Sequence, residues 1–337
     1  MSSSAATQLS NHFPAHFNST LKGHRYTVLR KLGEGVSATT WPVRDSPSQS
    51  EATKMHETSE TKELEILKEL RDMGADRLGD LPLMYDDFVE CSPVGFHLCI
   101  VMWFDSDSAS ALRRPSPTKA LPPYMVKNLI HMLVEALDQL HERHIVHTNT
   151  VSLEMRLGGS RQVESNRFPI HITWDTSSFE AEEMIMYLAD FGHAQRSGEQ
   201  PTTDCIGALA LRAPEVILWS DFGLGVDIRA VGCIVVVFHA PDTDDTAKMM
   251  ELTDQRFPSS VVERSEHRKH HNDNLRRINE LIPIGLETTM TNYKIPGLSK
   301  DEIKKAANST RASTKYEEQA TVKELQDHPF LADAFKC

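Results

Sequence analysis

The sequence predicts an α+β protein in two parts, a small strand-rich first part and a larger helical second part. Apolar and polar residues alternate in "YTVLRKLGEG" at 26–35, which ends in two closely spaced glycines, as in a strand that enters a tight turn. In "YMVKNLIHMLVEALDQLHERH" at 124–144 the apolar residues instead recur with the helical period of 3.6. A segment rich in Ser and Pro, 105–123, separates the two patterns.

The domain boundaries follow from these changes in pattern. Residues 1–25 are mostly polar and are predicted to form a flexible tail, 26–104 the first part, 105–331 the second part, and 332–337 a short tail. The first residues lack an apolar segment and a basic start, so they predict neither a secretory signal nor a membrane anchor. The longest strongly apolar run, "GCIVVVFHA" at 232–240, is too short to span a bilayer.

Three further elements are predicted in the first part. "TTWPVRD" at 39–45 is typical of a returning strand, in which Pro42 indicates a sheet edge or a bulge. "GFHLCIVMWF" at 95–104 suits a buried strand. The charged segment 57–73 predicts a surface helix whose apolar face is formed by Leu64, Leu67 and Leu70.

In the second part, one helix is clear and one element is ambiguous. The segment "VDIRAVGCIVVVF" at 226–238 is apolar nearly all round, so its periodicity is compatible with a buried helix and with a buried strand. The helix at 124–144 has one apolar face, formed by Leu129, Met132, Leu133, Ala136, Leu137 and Leu140.

Composition and charge limit the possible functions. With 337 residues, 39% hydrophobic and 25% charged, the chain resembles an ordinary soluble globular protein. A formal net charge of −12 argues against nucleic acid as a partner and is compatible with a basic peptide. The five cysteines lack CxxC or metal-ligand spacing, which indicates reduced thiols in an intracellular protein, cytoplasmic or nuclear and without a membrane.

Several short motifs point to phosphate chemistry. Gly33 and Gly35 would let the backbone approach phosphates that Cβ atoms would block. Asp190, followed by Phe and Gly, offers a carboxylate for a magnesium ion on nucleotide phosphates. "LRAPEVIL" at 211–218 and "VDIRAVGC" at 226–233 follow in order. Each motif alone is a weak signal, but their ordered combination is very improbable by chance.

These motifs resemble a eukaryotic protein kinase domain. "HTN", "LADFGHAQ", "ALRAPEVIL", "VDIRAVGCIVVVF" and "ERSEHRKHHNDNLRRI" are most similar to the SR-protein kinase family in its fungal form, and the resemblance covers about Tyr26 to Leu331. It implies a two-lobed kinase fold with a small β-rich N-lobe and a larger α-helical C-lobe. It also implies ATP and Mg²⁺ as cofactors, bound in the cleft between the lobes, and Ser/Thr of Arg/Ser-rich proteins as substrates.

The resemblance assigns most of the nucleotide site to the first part. Its positions are Gly33, Gly35 and Ala38 in the glycine loop, Ala52 and Lys54 on a strand, Glu63 on a helix, and Met102, Trp103 and Phe104 at the hinge. Lys54 matches the lysine that holds the phosphates, with Glu63, or Glu65 in another register, as its partner. Trp103 is unusual at a hinge, where it would crowd or stack on the base.

The catalytic loop departs from the family at three positions. The family pattern is His-Thr-Asp, then a Lys two residues on and an Asn three further, whereas this chain has "HTN" at 147–149, Val151 and Glu154. Asn149 cannot take the proton of a substrate hydroxyl at neutral pH. Val151 removes a cation that would steady the transferring phosphoryl group. Glu154 remains a carboxylate, and thus a magnesium ligand beside Asp190.

Two structural positions also depart from the family pattern. Arg229 stands where a buried Trp is expected, and Gln319 stands where an Arg should pair with Glu215. A buried Glu without its cation is costly, and water or another cation such as Arg212 would have to relieve it.

Three interpretations of function follow, and whether the chain is an enzyme stays open because Asn149 and Val151 replace the catalytic Asp and Lys. The first is an ATP-binding Ser/Thr kinase with residual activity. The second is a pseudokinase that binds Arg/Ser-rich or other basic peptides as a scaffold. The third is a decayed paralogue without a selected function.

Overall fold

The chain divides into two units, residues 1–77 with 82–105, and residues 78–81 with 106–337. The first unit thus ends one residue beyond the boundary predicted from the sequence, and a four-residue segment from within the predicted first part belongs to the second unit. The computed structural model describes residues 13–34, 38–46, 51–56, 61–74, 79–93, 95–103, 107–150, 153–156, 172–182, 184–199, 213–217, 223–239, 285–294, 297–315 and 318–335.

Within the described residues, the first unit contains one seven-stranded antiparallel sheet and one helix. The strand order is β1-β2-β4-β5-β7-β6, and β3 also pairs with β4. The two strands predicted at 39–45 and 95–104 are confirmed as β4 and β7. The strands are β1 (Thr20–Leu21), β2 (Tyr26–Val28), β3 (Gly33–Glu34), β4 (Ala38–Asp45), β5 (Glu51–His56), β6 (Met84–Ser92) and β7 (Gly95–Trp103).

Pro42 lies inside the sheet, at an interruption in the pairing of its strand. On one side β4 pairs first with β3 and then with β2, and residues 29–32 between these strands lie outside both ladders. There the Pro42 carbonyl accepts a hydrogen bond from the Leu29 amide at 2.9 Å. A proline is tolerated at this point because the ladder is already broken where its missing N–H would be needed. The predicted irregularity is present, but at an internal strand and not at an edge.

The predicted surface helix is confirmed as α1 (Lys62–Asp72). The Thr61 hydroxyl caps it by accepting from the Leu64 amide at 3.1 Å. An ion pair between Lys68 and Asp87, 2.9 Å long, connects the helix to β6. The helix therefore covers the face of the sheet on which the Asp87 side chain lies. Its predicted apolar face, Leu64, Leu67 and Leu70, is buried.

The opposite face of the sheet is covered in part by the segment that the sequence assigned to a flexible tail. Residues 13–25 include β1, and Ala15 and Leu21 are buried in one cluster with Tyr26, Val28 and Trp41. The prediction of a tail is therefore corrected for residues 13–25. The segment carries too few apolar residues to show a period, but the sheet face offers them burial.

The second unit is mainly helical in its described residues, which confirms the predicted α+β organisation. The Ser- and Pro-rich segment contains two short elements, β8 (Asp107–Ser108) and α2 (Ala109–Arg113). The other strands are β9 (Ile145–Val146), β10 (Leu153–Arg156), β11 (Ile185–Leu188) and β12 (Gln195–Arg196). The other helices are α3 (Pro123–His141), α4 (Ser178–Ala181), α5 (Pro214–Ile217), α6 (Gly225–His239), α7 (Leu286–Asn292), α8 (Lys300–Thr314) and α9 (Val322–Gln326).

The core of the second unit forms around α3 and α6. The predicted apolar face of α3 is buried, and α3 packs against α6, α9 and β11. The ambiguous segment at 226–238 is a helix, α6, and α8 packs closely along it. A Cβ at Gly232 would lie 2.7 Å from the Ser313 Cβ, so only glycine permits this approach. No helix in the described ranges has the length and apolar character needed to cross a bilayer.

Candidate active site

A single buried carboxylate holds the loop that contains Asn149, the predicted catalytic loop. Asp227, in the first turn of α6, has no exposed surface. It accepts hydrogen bonds from the His147 and Thr148 amides, both 2.8 Å long, and lies 3.1 Å from the His141 Nε2. A buried carboxylate is stable only when such donors surround it. Asp227 therefore fixes the backbone immediately before Asn149.

The same loop holds a residue in a sparsely populated conformation. Thr148 has a φ of 70°, which is unfavourable for a β-branched side chain. Its amide is bound by Asp227, and its hydroxyl donates to the His193 carbonyl at 3.2 Å. The His147 ring packs edge-on against Phe191, with centroids 4.7 Å apart. These contacts connect the loop to the segment around Asp190.

The structure brings Asn149 and Asp190 together. The Asn149 Nδ2 donates a hydrogen bond to the Asp190 Oδ2 at 3.1 Å. Asp190 is exposed, follows β11, and has a φ of 64°, while the next residue, Phe191, is buried. Mg²⁺ is commonly held by one or two carboxylates together with water and phosphate oxygens, so the exposed Asp190 carboxylate fits this ion. The described residues contain no cluster of three His, Cys, Asp or Glu side chains arranged for a metal.

Of the other two positions at which the predicted catalytic loop departs from the family, the structure describes one. Glu154 lies in β10, where its backbone pairs with Tyr187 of β11 and Ser108 of β8. Since β11 leads directly to Asp190, Glu154 belongs to the strand beside the one that carries this carboxylate. Val151 lies outside the described residues.

Apart from Glu63, the predicted nucleotide positions that the structure describes in the first unit lie on four neighbouring strands, β3, β4, β5 and β7. Gly33 pairs with Thr40 near the start of β4, whose first residue is the buried Ala38. In β5, Ala52 pairs with Met102, and Lys54 pairs with Ile100. Met102 is half-buried, and Trp103 ends β7. Gly35 and Phe104 lie outside the described residues.

The two carboxylates considered as partners of Lys54 differ in burial. Glu63, in the first turn of α1, is only 2% exposed, whereas Glu65 is exposed to solvent. An ionisable side chain is seldom buried without a specific role or partner. The burial thus favours the register in which Glu63 faces the interior.

The two structural departures at Arg229 and Gln319 are related. Glu215 is buried, and burial raises its pKa, while the positive charge of Arg229 lowers it. Arg229 is itself buried, and its Nη1 donates to the Thr314 carbonyl at 3.0 Å. Gln319 instead donates to the Gly225 and Ser313 carbonyls, at 2.8 and 2.7 Å. The charge of Arg229 thus offsets only part of the effect of burial, because the pKa of Glu215 stays raised. The other cation that the sequence suggested, Arg212, lies outside the described residues.

A half-buried acid supports the strand that leads to Asp190. The Asp80 carbonyl accepts from the Leu188 amide at 3.1 Å, at the end of β11. Burial, and next the negative charge of Glu135, raise the pKa of the Asp80 carboxyl to about 7, from an ordinary value of 3.8. The ionised form is therefore disfavoured in the folded chain.

Replacing Asp80 with Asn should stabilise the protein above pH 7. Since the pKa is raised on folding, ionised Asp80 destabilises the fold, and stability falls as pH rises from about 4 to about 7. We expect Asp80→Asn to gain at most about 4 kcal/mol at pH 8, the equivalent of a shift of roughly three pKa units, and almost nothing at pH 4. Urea unfolding at a series of pH values measures this, with Glu135→Gln as a control of smaller effect. An equal gain at pH 5 and pH 8 would contradict the assignment.

Sequence reasoning included Asp227 in the motif "VDIRAVGC" but did not assign it a role in holding the loop, and it assigned no role to His141 or Asp80. Asp227 carried a usable signal, since a lone carboxylate at the start of the apolar segment 226–238 must find buried donors. Asp80 carried none, because its role depends on Leu188, more than a hundred residues later.

Comparison with known proteins gives related protein kinases, although no profile of a known protein family matches the chain. A serine/threonine protein kinase of Aspergillus fumigatus is 30% identical over 63% of this chain and 56% of its own length. The serine/threonine-protein kinase SRPK of Physarum polycephalum is 24% identical over 91% of this chain and 86% of its own. The serine/threonine-protein kinase AFC1 of Arabidopsis thaliana is 23% identical over 72% of this chain and 55% of its own.

The chain thus spans a little over half the length of the Aspergillus kinase. The match to the Physarum SRPK extends over nearly the whole chain, and the α+β architecture agrees with a two-lobed kinase fold. The recognition made from the motifs is confirmed by these relatives. These similarities support a protein kinase of the SR-protein kinase type.

Proposed function

We propose that the chain binds ATP with Mg²⁺ and that its phosphotransfer to Ser or Thr of Arg/Ser-rich proteins is impaired or lost. The observation that carries this proposal is the position of Asn149. It follows the anchored residues His147 and Thr148, where an SR-protein kinase has its catalytic Asp, and its amide is bonded to Asp190. The backbone before this position is thus held as a catalytic loop would require, but the side chain at the position cannot accept a proton.

Observations made separately within each unit support nucleotide binding. In the first unit, Gly33 and Lys54 lie on strands that each pair with β4, both opposite Thr40, and Glu63 is buried on α1. In the second, the exposed Asp190 would hold the magnesium ion, with Glu154 as a second carboxylate. When bound, this ion would neutralise charge on the nucleotide phosphates.

Nucleotide binding is tested first. ATP with Mg²⁺ should raise the melting temperature of the purified chain, because a ligand at about 100 times its Kd stabilises the folded state by about 2.7 kcal/mol. Lys54→Ala and Asp190→Ala should each abolish the rise, whereas Lys300→Ala, an exposed position on α8, should keep it. No rise in the native chain at millimolar ATP would remove the nucleotide part of the proposal.

Transfer to an Arg/Ser peptide is tested separately, with radiolabelled ATP. A base at the position of Asn149 contributes roughly 10²–10⁴ in rate to such reactions, so transfer by the native chain should be near background. Robust transfer that is lost in Asp190→Ala would show that the site is active and would overturn the impairment.

A pseudokinase scaffold is the second candidate. It is favoured by the net charge of −12, which suits a basic peptide, together with the neutral Asn149. Peptide binding that is equal with and without ATP, in a chain that transfers no phosphate, would support it over the first candidate.

A further inference from the structure

Residues 79–81 form a short segment that is anchored within the second unit. They belong to this unit although residues 1–77 and 82–105 belong to the first. Leu81 is buried, and the Asp80 carbonyl accepts a hydrogen bond from the Leu188 amide at 3.1 Å. A Cβ at Gly79 would lie 3.1 Å from the Gln139 Nε2, so the segment also lies against α3. The segment thus holds the last residue of β11.

The side chain of Asp80 lies close to other acidic groups. The charge of Glu135, on α3, adds to the effect of burial and raises the pKa of Asp80 further. Glu135 and Asp138 both accept hydrogen bonds from the neutral Gln326 Nε2, at 3.1 and 3.5 Å. Among the described residues, no cation lowers the pKa of the Asp80 carboxyl. These surroundings favour its protonated form.

The other ionisable groups of the two elements beside the segment act elsewhere. In β11 the only titratable side chain is Tyr187. Asp76 and Arg77, which precede the segment, lie outside the described residues. On α3, the remaining ionisable side chains contact other partners: Tyr124 the Thr176 carbonyl, Lys127 Glu302, His131 Phe335, and His141 Asp227. Glu135 is therefore the charge that acts on Asp80, with Asp138 beside it.

We propose that residues 79–81 are a pH-sensitive anchor for the end of β11, which holds while the Asp80 carboxyl is protonated and loosens when it is ionised beside Glu135. Loss of the proton would place two negative charges together in a half-buried position, and release of the segment would return Asp80 to water. The Leu188 amide would then lose its acceptor. Because Asp190 follows Leu188 by two residues, its backbone would be held less firmly.

The direction of this dependence follows from the two protonation equilibria. In the released segment the Asp80 carboxyl should have its ordinary pKa of 3.8, whereas in the anchored segment its pKa is about 7. Release therefore becomes more favourable as pH rises from about 4 to about 7, and changes little above pH 7. One proton permits at most about a 10-fold change per pH unit.

Hydrogen–deuterium exchange of the whole chain, without nucleotide, tests the proposal. Protection of the Leu188 amide, normalised to an unstructured peptide at the same pH, should fall by at least about 10-fold between pH 5 and pH 7. In Asp80→Asn it should stay nearly constant. Glu135→Gln, which keeps an oxygen for Gln326, should make the fall smaller. Asp138→Asn is the matched control and should leave it unchanged.

Two results would overturn the proposal. An equal fall in the native chain and in Asp80→Asn would assign the pH dependence to other groups. A fall of the same size at the amides of α8, in the same unit, would show unfolding of the whole unit and not release of the segment. Because no nucleotide is present, either result is distinct from a failure of the proposed ATP binding.

Discussion

Asn149→Asp combined with Val151→Lys should raise phosphotransfer to an Arg/Ser-rich peptide by at least about 10²-fold and by up to about 10⁴-fold. The Asp would accept the proton of the substrate hydroxyl, and the Lys would steady the transferring phosphoryl group. The gain is expected because the backbone around position 149 is already held in place. Asp227 accepts hydrogen bonds from the two preceding amides, and Phe191 packs on the His147 ring.

Phosphotransfer by the double variant should require Mg²⁺ for two reasons. The ion has its usual role at the nucleotide phosphates, and the new carboxylate would stand beside Asp190. Initial rates with labelled ATP at saturating Mg²⁺ provide the measurement. Asn149→Ala with Val151→Lys is the matched control, since it adds the cation without the base. Asp190→Ala, added to the variant with Asn149→Asp and Val151→Lys, should remove the gain.

The contribution of the two changes should not be additive, because residues that act together in one step depend on each other. If the double variant bound ATP and still transferred no phosphate above the native chain, the defect would lie elsewhere in the site. Glu154 would then be the next position to exchange, because the family has Asn there.

Asp227→Ala should destabilise the second unit by about 3–5 kcal/mol. Asp227 is completely buried and accepts two backbone hydrogen bonds, and its removal would leave the amides of His147 and Thr148 without their acceptor. Each buried unsatisfied group costs about 1–3 kcal/mol, and Thr148 would also lose the bond that keeps it in its unfavourable conformation. Since domains are stable by only about 5–15 kcal/mol, much of the folded state would be lost at 37 °C.

Urea unfolding followed by far-ultraviolet circular dichroism measures this loss, because the helices lie mainly in the second unit. His141→Ala is the matched control: it removes only the third partner of Asp227 and should cost about 1 kcal/mol. An Asp227→Ala protein within about 1 kcal/mol of the native chain would show that the loop is held by other contacts.

The elements that were predicted correctly have a local signal. The apolar face of α1 and that of α3 repeat every three to four residues, and β7 is a short apolar run between polar segments. The catalytic-loop motif also has a local signal, since its residues are neighbours in the chain. For these parts the sequence was sufficient because a period, a turn residue or a motif is complete within about 20 residues.

Other features had no such signal. A helix that is buried on all sides has no polar face, so α6 could not be distinguished from a strand by its pattern. Residues 13–25 looked like a tail because their few apolar side chains form no period, yet Ala15 and Leu21 cover one face of the sheet. No pattern in the sequence indicated that Arg229, on another helix, lowers the pKa of the buried Glu215, because this effect depends on the packing of two separate elements.

The sequence alone determined the α+β class, the order of the main elements and the departure of "HTN" and Val151 from the family pattern, because these are properties of neighbouring residues. Only the tertiary structure decided that Asn149 donates to Asp190, that Asp227 anchors the loop, and that Asp80 is buried beside the strand before Asp190, where its pKa is raised. Each of these depends on partners brought together from distant parts of the chain, and on burial, which changes the free energy of a charge.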